Sequence, residues 1–260
     1  TMTVGGTVAY SSSASRFGTG NGLLFTADAS SSTRPVSLAT VPGVATTNAF
    51  TFGAWVRFDQ LAGSQGWERV FDFGAAQASN NLWLGRVGTS NNLRLEAYSG
   101  GTSVGIATAA NALNGQVGNW LHLAATVDSS NVARIYVNGT QAGSVTLSGA
   151  INYSAWTNNF IGASNWGVDR QFRGAMDDIA IFDRALTAEE VATMASSATT
   201  PTMVLKSIAE NSPNGTNVFE ARSSDVDAGD GVTYSILSGN TNSTFAINAT
   251  TGQVTVANSS

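Results

Sequence analysis

Residues 133–145 read Ala133-Arg134-Ile135-Tyr136-Val137-Asn138-Gly139-Thr140-Gln141-Ala142-Gly143-Ser144-Val145. Two strand-like runs flank an Asn-Gly pair, the pair best suited to positive φ at both central positions of a type I′ turn. The stretch therefore predicts a tight β-hairpin and, with it, an antiparallel sheet. Just upstream, Leu121, Leu123, Ala125 and Val127 share one face by period two. Earlier still, Phe50, Phe52, Ala54, Val56 and Phe58 do the same. Gly-Asn, Gly-Ser and Asn-Asn clusters recur between the apolar runs, which implies antiparallel connections and no room for crossover helices. The expectation is an all-β chain whose main unit is a two-sheet antiparallel sandwich of the jelly-roll kind.

One short helix is expected at about 187–195. Thr187 suits the N-cap and Glu190, three residues on, completes a capping box, while Glu189 and Glu190 favour the positive helix end. The small polar run Ser196-Ser197-Ala198-Thr199-Thr200-Pro201-Thr202 then marks a boundary. This gives a first domain over 1–196, a linker over 197–202 and a second unit over 203–260. In the latter, Tyr234-Ser235-Ile236-Leu237, Phe245-Ala246-Ile247 and Gln253-Val254-Thr255-Val256 read as short strands, with a turn at Thr251-Gly252. So short a unit without crosslinks is small for an independent domain.

Composition narrows the function. Charged residues make up 11% of the chain and hydrophobic ones 42%, and the polar remainder is largely Gly, Ser, Thr and Asn, a profile of short strands and many turns. Twelve basic groups against seventeen acidic ones give a net charge of -5. Nucleic acid is then an unsuitable partner, because phosphate binding needs a concentrated basic surface. Carboxylates in excess suit divalent cations such as calcium instead. With no Cys there are no disulfides, thiolate metal sites or Cys nucleophiles. No apolar stretch reaches the roughly 18 to 20 residues of a membrane span, and a secretory signal would have to precede Thr1-Met2-Thr3-Val4.

Four segments in order resemble the landmarks of concanavalin A-like, laminin-G-like domains. They are Phe50-Thr51-Phe52-Gly53-Ala54-Trp55-Val56, Gly118-Asn119-Trp120-Leu121-His122-Leu123-Ala124, Ile135-Tyr136-Val137-Asn138-Gly139, and Phe172-Arg173-Gly174-Ala175-Met176-Asp177-Asp178-Ile179 running on to Arg184-Ala185-Leu186-Thr187. The second unit is similar to a partial cadherin-like, Ig-like repeat. Ala209-Glu210-Asn211-Ser212-Pro213 matches its opening, Asp225-Val226-Asp227 its Asp-x-Asp motif, and Thr250-Thr251-Gly252-Gln253-Val254-Thr255-Val256 a later strand. That likeness covers about the first two thirds of a repeat. Together the two modules resemble large bacterial surface adhesins, which implies a ligand-binding tip and a calcium-stiffened stalk.

The resemblance implies calcium ligands at Glu210, Asn211, Asp225 and Asp227 in the second unit, and at Asp177 with Asp28 in the first; the alternatives are a solvated acidic turn and a sheet-edge ion pair with an Arg. Asp72 reads as a buried, hydrogen-bonded carboxylate with Arg69 as its natural partner, the alternative being a group that positions a loop or binds ligand. Of the six Trp, Trp55, Trp83 and Trp120 lie in strand-like runs and read as core. Trp156 and Trp166 lie in Asn-rich loops, and with Asn165 they are the candidates for contact with a glycan or peptide, set against simple loop packing.

No catalytic residues are expected. The sole His, His122, alternates within a strand and reads as structural, so none remains for a Ser-His-Asp triad. A glycosidase of this fold would carry paired carboxylates on a Glu-x-Asp-x-x-Glu strand, which is absent, and consecutive Asp177 and Asp178 point to opposite faces. Residues and resemblance together imply an extracellular, cell-surface, calcium-dependent adhesion module, not an enzyme. Its partners would be a glycan or peptide on another surface and neighbouring modules or copies. The alternatives are a structural block of a surface filament and an accessory carbohydrate-binding module of a secreted enzyme.

Overall fold

A computed structural model describes residues 2–4, 8–18, 20–26, 36–38, 41, 47–61, 66–196, 211–220, 233–236 and 240–259. The chain divides into two compact units, Thr1–Ser196 and Ser197–Ser260. The linker assigned to 197–202 lies outside the described residues.

In chain order, the first unit holds β1 (Met2–Val4), β2 (Val8–Ser11), β3 (Gly22–Phe25), β4 (Val36–Leu38), β5 (Phe50–Phe58), β6 (Arg69–Gly74) and β7 (Leu82–Arg86). Then come β8 (Leu93–Ser99), β9 (Thr102–Ala109), β10 (Trp120–Val127), β11 (Val132–Val137), β12 (Thr140–Thr146), β13 (Asn158–Ile161) and β14 (Gly174–Phe182). Helix α1 (Ala188–Ser196) closes the unit. The strands form two sheets, ordered β1-β4-β13-β6-β7-β8-β9 and β12-β11-β10-β5-β14-β3-β2, with antiparallel neighbours throughout. This is the two-sheet sandwich that the alternation predicts.

Period two sorts each strand between core and solvent. On β5, Phe50, Phe52, Ala54, Val56 and Phe58 are all at most 1% exposed and meet Phe71 and Phe73 of β6 and Leu82 and Leu84 of β7. The rings of Phe52 and Phe71 are 4.6 Å apart. Burying each such side chain contributes roughly 1.5–3 kcal/mol, so this aromatic seam is the main adhesive between the sheets.

The Asn-Gly turn forms as read, with φ of 50° at Asn138 and 79° at Gly139. Asn138 is also tied to β10: its side-chain Oδ1 accepts from the His122 N–H at 2.9 Å and its own N–H donates to the His122 carbonyl at 2.7 Å. Gly139 is required twice over, since a Cβ there would lie 2.9 Å from Ala192 Cα of α1. The helix starts on the predicted capping box. Thr187 N–H donates to Glu190 Oε2 at 2.9 Å, and Glu190 N–H donates to Thr187 Oγ1 at 3.2 Å. Its buried face, Val191 with Met194 beside it, packs with Leu186 on Ala124 and Tyr136 of the outer sheet face.

In the second unit, β15 (Asn217–Glu220), β16 (Phe245–Ile247) and β17 (Gln253–Val256) form a sheet ordered β15-β17-β16. Asn248 Oδ1 accepts from the N–H groups of Thr250 and Thr251, and Gly252 takes φ 72°, so the predicted turn precedes β17. Of Tyr234-Ser235-Ile236-Leu237, expected as a strand, the first three are described and carry no ladder, although Tyr234 N–H donates to the Ala249 carbonyl at 2.9 Å.

Candidate functional site

On β7, Leu82 and Leu84 point into the core, so Trp83 between them must face outward. On neighbouring β8, Leu93, Leu95 and Ala97 are core, and Arg94, Glu96 and Tyr98 share the outer face with Trp83. A register shift between Arg69 and Phe71 turns Arg69 of β6 to the same side. The segment 162–173 brings Trp166 and Asp169 to this group, and Trp67 completes it. These eight residues line one pocket of about 290 Å³.

Arg69 is its centre. The guanidinium carbon lies 3.7 Å from the Trp83 ring centroid, 5.5 Å from Trp166 and 5.7 Å from Trp67. It is fully buried, which pushes its pKa below the usual arginine value, while the charges of Asp169, Asp72 and Glu96 hold it up. Asp169 Oδ2 pairs with Arg69 Nη2 at 2.9 Å and accepts from Ser164 Oγ at 2.7 Å. Burial raises the Asp169 carboxyl, against the opposing pull of Arg69 and Ser164. On the other side, Glu96 accepts from Ser103 Oγ at 2.7 Å and from Arg94 Nη1 at 3.3 Å. Burial, and then the charge of Glu96, lift the Tyr98 phenol above its ordinary value.

Trp67 stands at φ 62°, a left-handed conformation unusual for so bulky a residue. Its N–H donates to the Gly88 carbonyl at 3.2 Å and its own carbonyl accepts from Arg69 Nη1 at 2.8 Å. The indole is thereby set edge-on to Trp83, with centroids 6.2 Å apart. Trp166 is held against Tyr98 at 5.5 Å. Trp67, Trp166 and Tyr98 are each only partly buried, so the pocket offers aromatic surface to a ligand.

The segment bearing Trp166 is fastened by Asp72, which is fully buried. Asp72 Oδ2 accepts from Asn165 N–H at 2.8 Å, and Oδ1 accepts from Asn165 Nδ2 and Asn81 Nδ2, both at 2.9 Å. This is the buried, hydrogen-bonded carboxylate read from the sequence, and it also fixes a loop, but the ion-pair partner of Arg69 is Asp169, not Asp72. Asn165, 6% exposed, is a fastening residue and presents no amide to a ligand.

Trp156 requires a correction. Its indole is 5% exposed and packs edge-on against Phe50 at 5.6 Å and Phe73 at 5.7 Å, with Nε1 donating to the Asn80 carbonyl at 2.7 Å. It is a core residue because the turn at Tyr153–Ala155 folds that stretch back over the sandwich. Trp55 and Trp83 are buried as read but lie outside the inter-sheet core, and Trp120 is half-buried with Arg57 5.1 Å above it. His122 is 2% exposed and burial lowers its pKa to about 4.

Asp177 does not fit a lone metal ligand. Its Oδ2 accepts from Arg16 N–H at 2.7 Å and its Oδ1 from Asp178 N–H at 2.9 Å, which pins a bulge where Asp178 takes φ 51°. Asn211, with φ 63°, is exposed, and Asp28, Glu210, Asp225 and Asp227 lie outside the described residues. Among the described residues, no three His, Asp or Glu side chains are grouped to hold a metal ion.

Residues 30–192 match the concanavalin A-like lectin/glucanases superfamily. The chain belongs to that superfamily. Residues 206–259 match the cadherin domain. No curated protein matches the chain. Among solved structures, domain 4 of the extracellular GH43 arabinanase AbnA from Geobacillus stearothermophilus, solved with arabinotriose, is 24% identical at a TM-score of 0.55. The match covers 75% of this chain and 87% of that one. The CBM40 of the Ruminococcus gnavus IT-sialidase, solved bound to α2,3-sialyllactose, is 14% identical at a TM-score of 0.51, over 67% of this chain and 96% of that one. Both likenesses are of fold, which this lectin-type superfamily shares widely, and the pocket must be judged on its own residues.

Proposed function

We propose that the first unit is a glycan-binding module whose site is the pocket of Trp67, Trp83, Trp166 and Tyr98 around Arg69. The observation that carries this reading is the pairing of partly exposed indoles with charged side chains in one pocket on the outer sheet face. Sugar rings present C–H faces that stack on indoles and hydroxyls that meet charged groups at their edges, and this pocket supplies both. A quaternary ammonium ligand suits the site less well, because Arg69 already occupies the aromatic cage such a cation would need. The oligosaccharides in the two solved neighbours are consistent with the reading.

The state of the carboxylates supports a binding role. Asp169 is held by Arg69 and Ser164, and Glu96 by Ser103 with a longer contact to Arg94, an arrangement suited to shaping a binding pocket. We place the module outside the cell, at a surface, where the cadherin-like second unit would serve as a calcium-stiffened spacer through Glu210, Asn211, Asp225 and Asp227. A glycan array probed with the full chain, with and without calcium, tests the reading. Binding abolished by Trp166→Ala with the melting temperature retained is the expected result; binding unaffected by Trp166→Ala and Trp67→Ala alike would refute the site.

A further inference from the structure

Three buried side-chain donors in the same pocket have no hydrogen-bond partner: Arg69 Nε, Arg94 Nε and Trp83 Nε1. The side chains of Arg69 and Trp83 are more than nine-tenths buried. Three carboxylate oxygens of the pocket already accept. Asp169 Oδ2 takes Arg69 and Ser164, while the two oxygens of Glu96 take Ser103 and Arg94. No buried acceptor of the eight lining side chains stands unpartnered. The pocket thus has a surplus of donors, two of them on guanidinium groups.

We infer that the pocket selects a sugar ring bearing a carboxylate, a uronic or sialic acid residue, over its neutral counterpart. The inference rests on the glycan-binding reading and specifies its ligand. A hydroxyl can accept from these donors but brings a donor of its own that needs a partner, whereas a carboxylate brings acceptors alone and a full negative charge. Guanidinium groups are the side chains best matched to it in shape and charge. Arg94 is the contact point. Its side chain is 24% exposed against 4% for Arg69, and one 3.3 Å contact ties it to Glu96, so it is the guanidinium that can turn to a ligand. Trp67, whose ring centroid lies 5.7 Å from the Arg94 guanidinium, provides the adjoining stacking surface.

Calorimetric titration of the full chain with the methyl glycosides of glucuronic acid and of N-acetylneuraminic acid, each against its own methyl ester, tests the selection. Each binding acid should exceed its ester by about tenfold or more in affinity, the range of one charge-assisted contact. Arg94→Gln, with its melting followed by tryptophan fluorescence, should remove that difference. If Arg94→Gln fails to fold, the acid-to-ester ratio of the unaltered chain decides. A preference for one acid alone supports the inference and identifies the source of the carboxylate. Equal binding of acid and ester, still lost in Trp166→Ala, would overturn the selection and leave the glycan site standing. Absence of binding to every acid, ester and neutral sugar on the array would overturn both.

Discussion

His122 makes the first unit sensitive to mild acid. In the unfolded chain an imidazole titrates near about 6.5. In the fold, burial beneath α1 and beside Trp55, 5.5 Å away ring to ring, lowers it to about 4. Nδ1 has no hydrogen-bond partner that would stabilise the imidazolium. Between these two values the unfolded state binds a proton that the folded state does not. Stability is therefore full above pH 6.5, falls as pH drops, and levels off below 4. The cost is roughly 1.4 kcal/mol at pH 5.5 and about 2.5 kcal/mol at pH 4.5, from about 1.36 kcal/mol per pKa unit. Asp169, raised by burial, works in the opposite direction, so the wild type alone would blur the effect. Subtracting a His122→Leu variant measured in parallel cancels every other titrating group. Urea unfolding followed by tryptophan fluorescence suits this, because all six Trp lie in the first unit and none in 197–260. The wild-type-minus-variant stability should fall by about 2.5 kcal/mol from pH 8 to pH 4.5. A difference flat across that window would refute the burial argument.

Other perturbations follow from named contacts. Asp72→Ala leaves the Asn165 and Asn81 amides without their acceptor and should cost roughly 2–4 kcal/mol, read by urea midpoint, together with loss of the fluorescence signature of Trp166. Thr187→Ala removes half of the capping box and should cost about 1 kcal/mol, whereas Thr187→Ser should cost little. Gly139→Ala meets both a positive φ and a 2.9 Å approach to the helix backbone, and should lower the melting temperature more than the same change at Gly115, where a Cβ meets nothing. For the second unit, calcium should raise a separate calorimetric transition and chelator should lower it; identical traces would remove calcium from the account.

What the sequence made legible, and what it did not, divides along the range of the interaction. The Asn138-Gly139 turn and the Thr187–Glu190 capping box are settled by neighbours a few residues apart, and both formed as read. Alternation located the core on β5 and β10 for the same reason. The pocket depends on strands that are adjacent only in the sheet, and composition gave no hint of which outward faces would meet. A signal was nevertheless present. The period-two rule that buries Leu82, Leu84, Leu93 and Leu95 also turns Trp83, Arg94, Glu96 and Tyr98 outward together. Apolar neighbours make Trp83 read as core, whereas the alternation sets it on the outer face. Trp156 differs for the opposite reason: its polar neighbours predict a loop position, while a short turn folds the indole inward. The bulge that brings Arg69 to the outer face has no local sequence mark, since it is a property of the β6–β7 pairing.

The central claim, a glycan site among Trp67, Trp83 and Trp166, is tested most directly by the six indole N–H resonances of the 15N-labelled full chain during titration with a sugar that binds on the array. The account predicts that the Trp67, Trp83 and Trp166 signals shift and saturate together while those of Trp55 and Trp156 stay fixed. Shifts confined to Trp55, Trp120 or Trp156 would place the ligand elsewhere and contradict it.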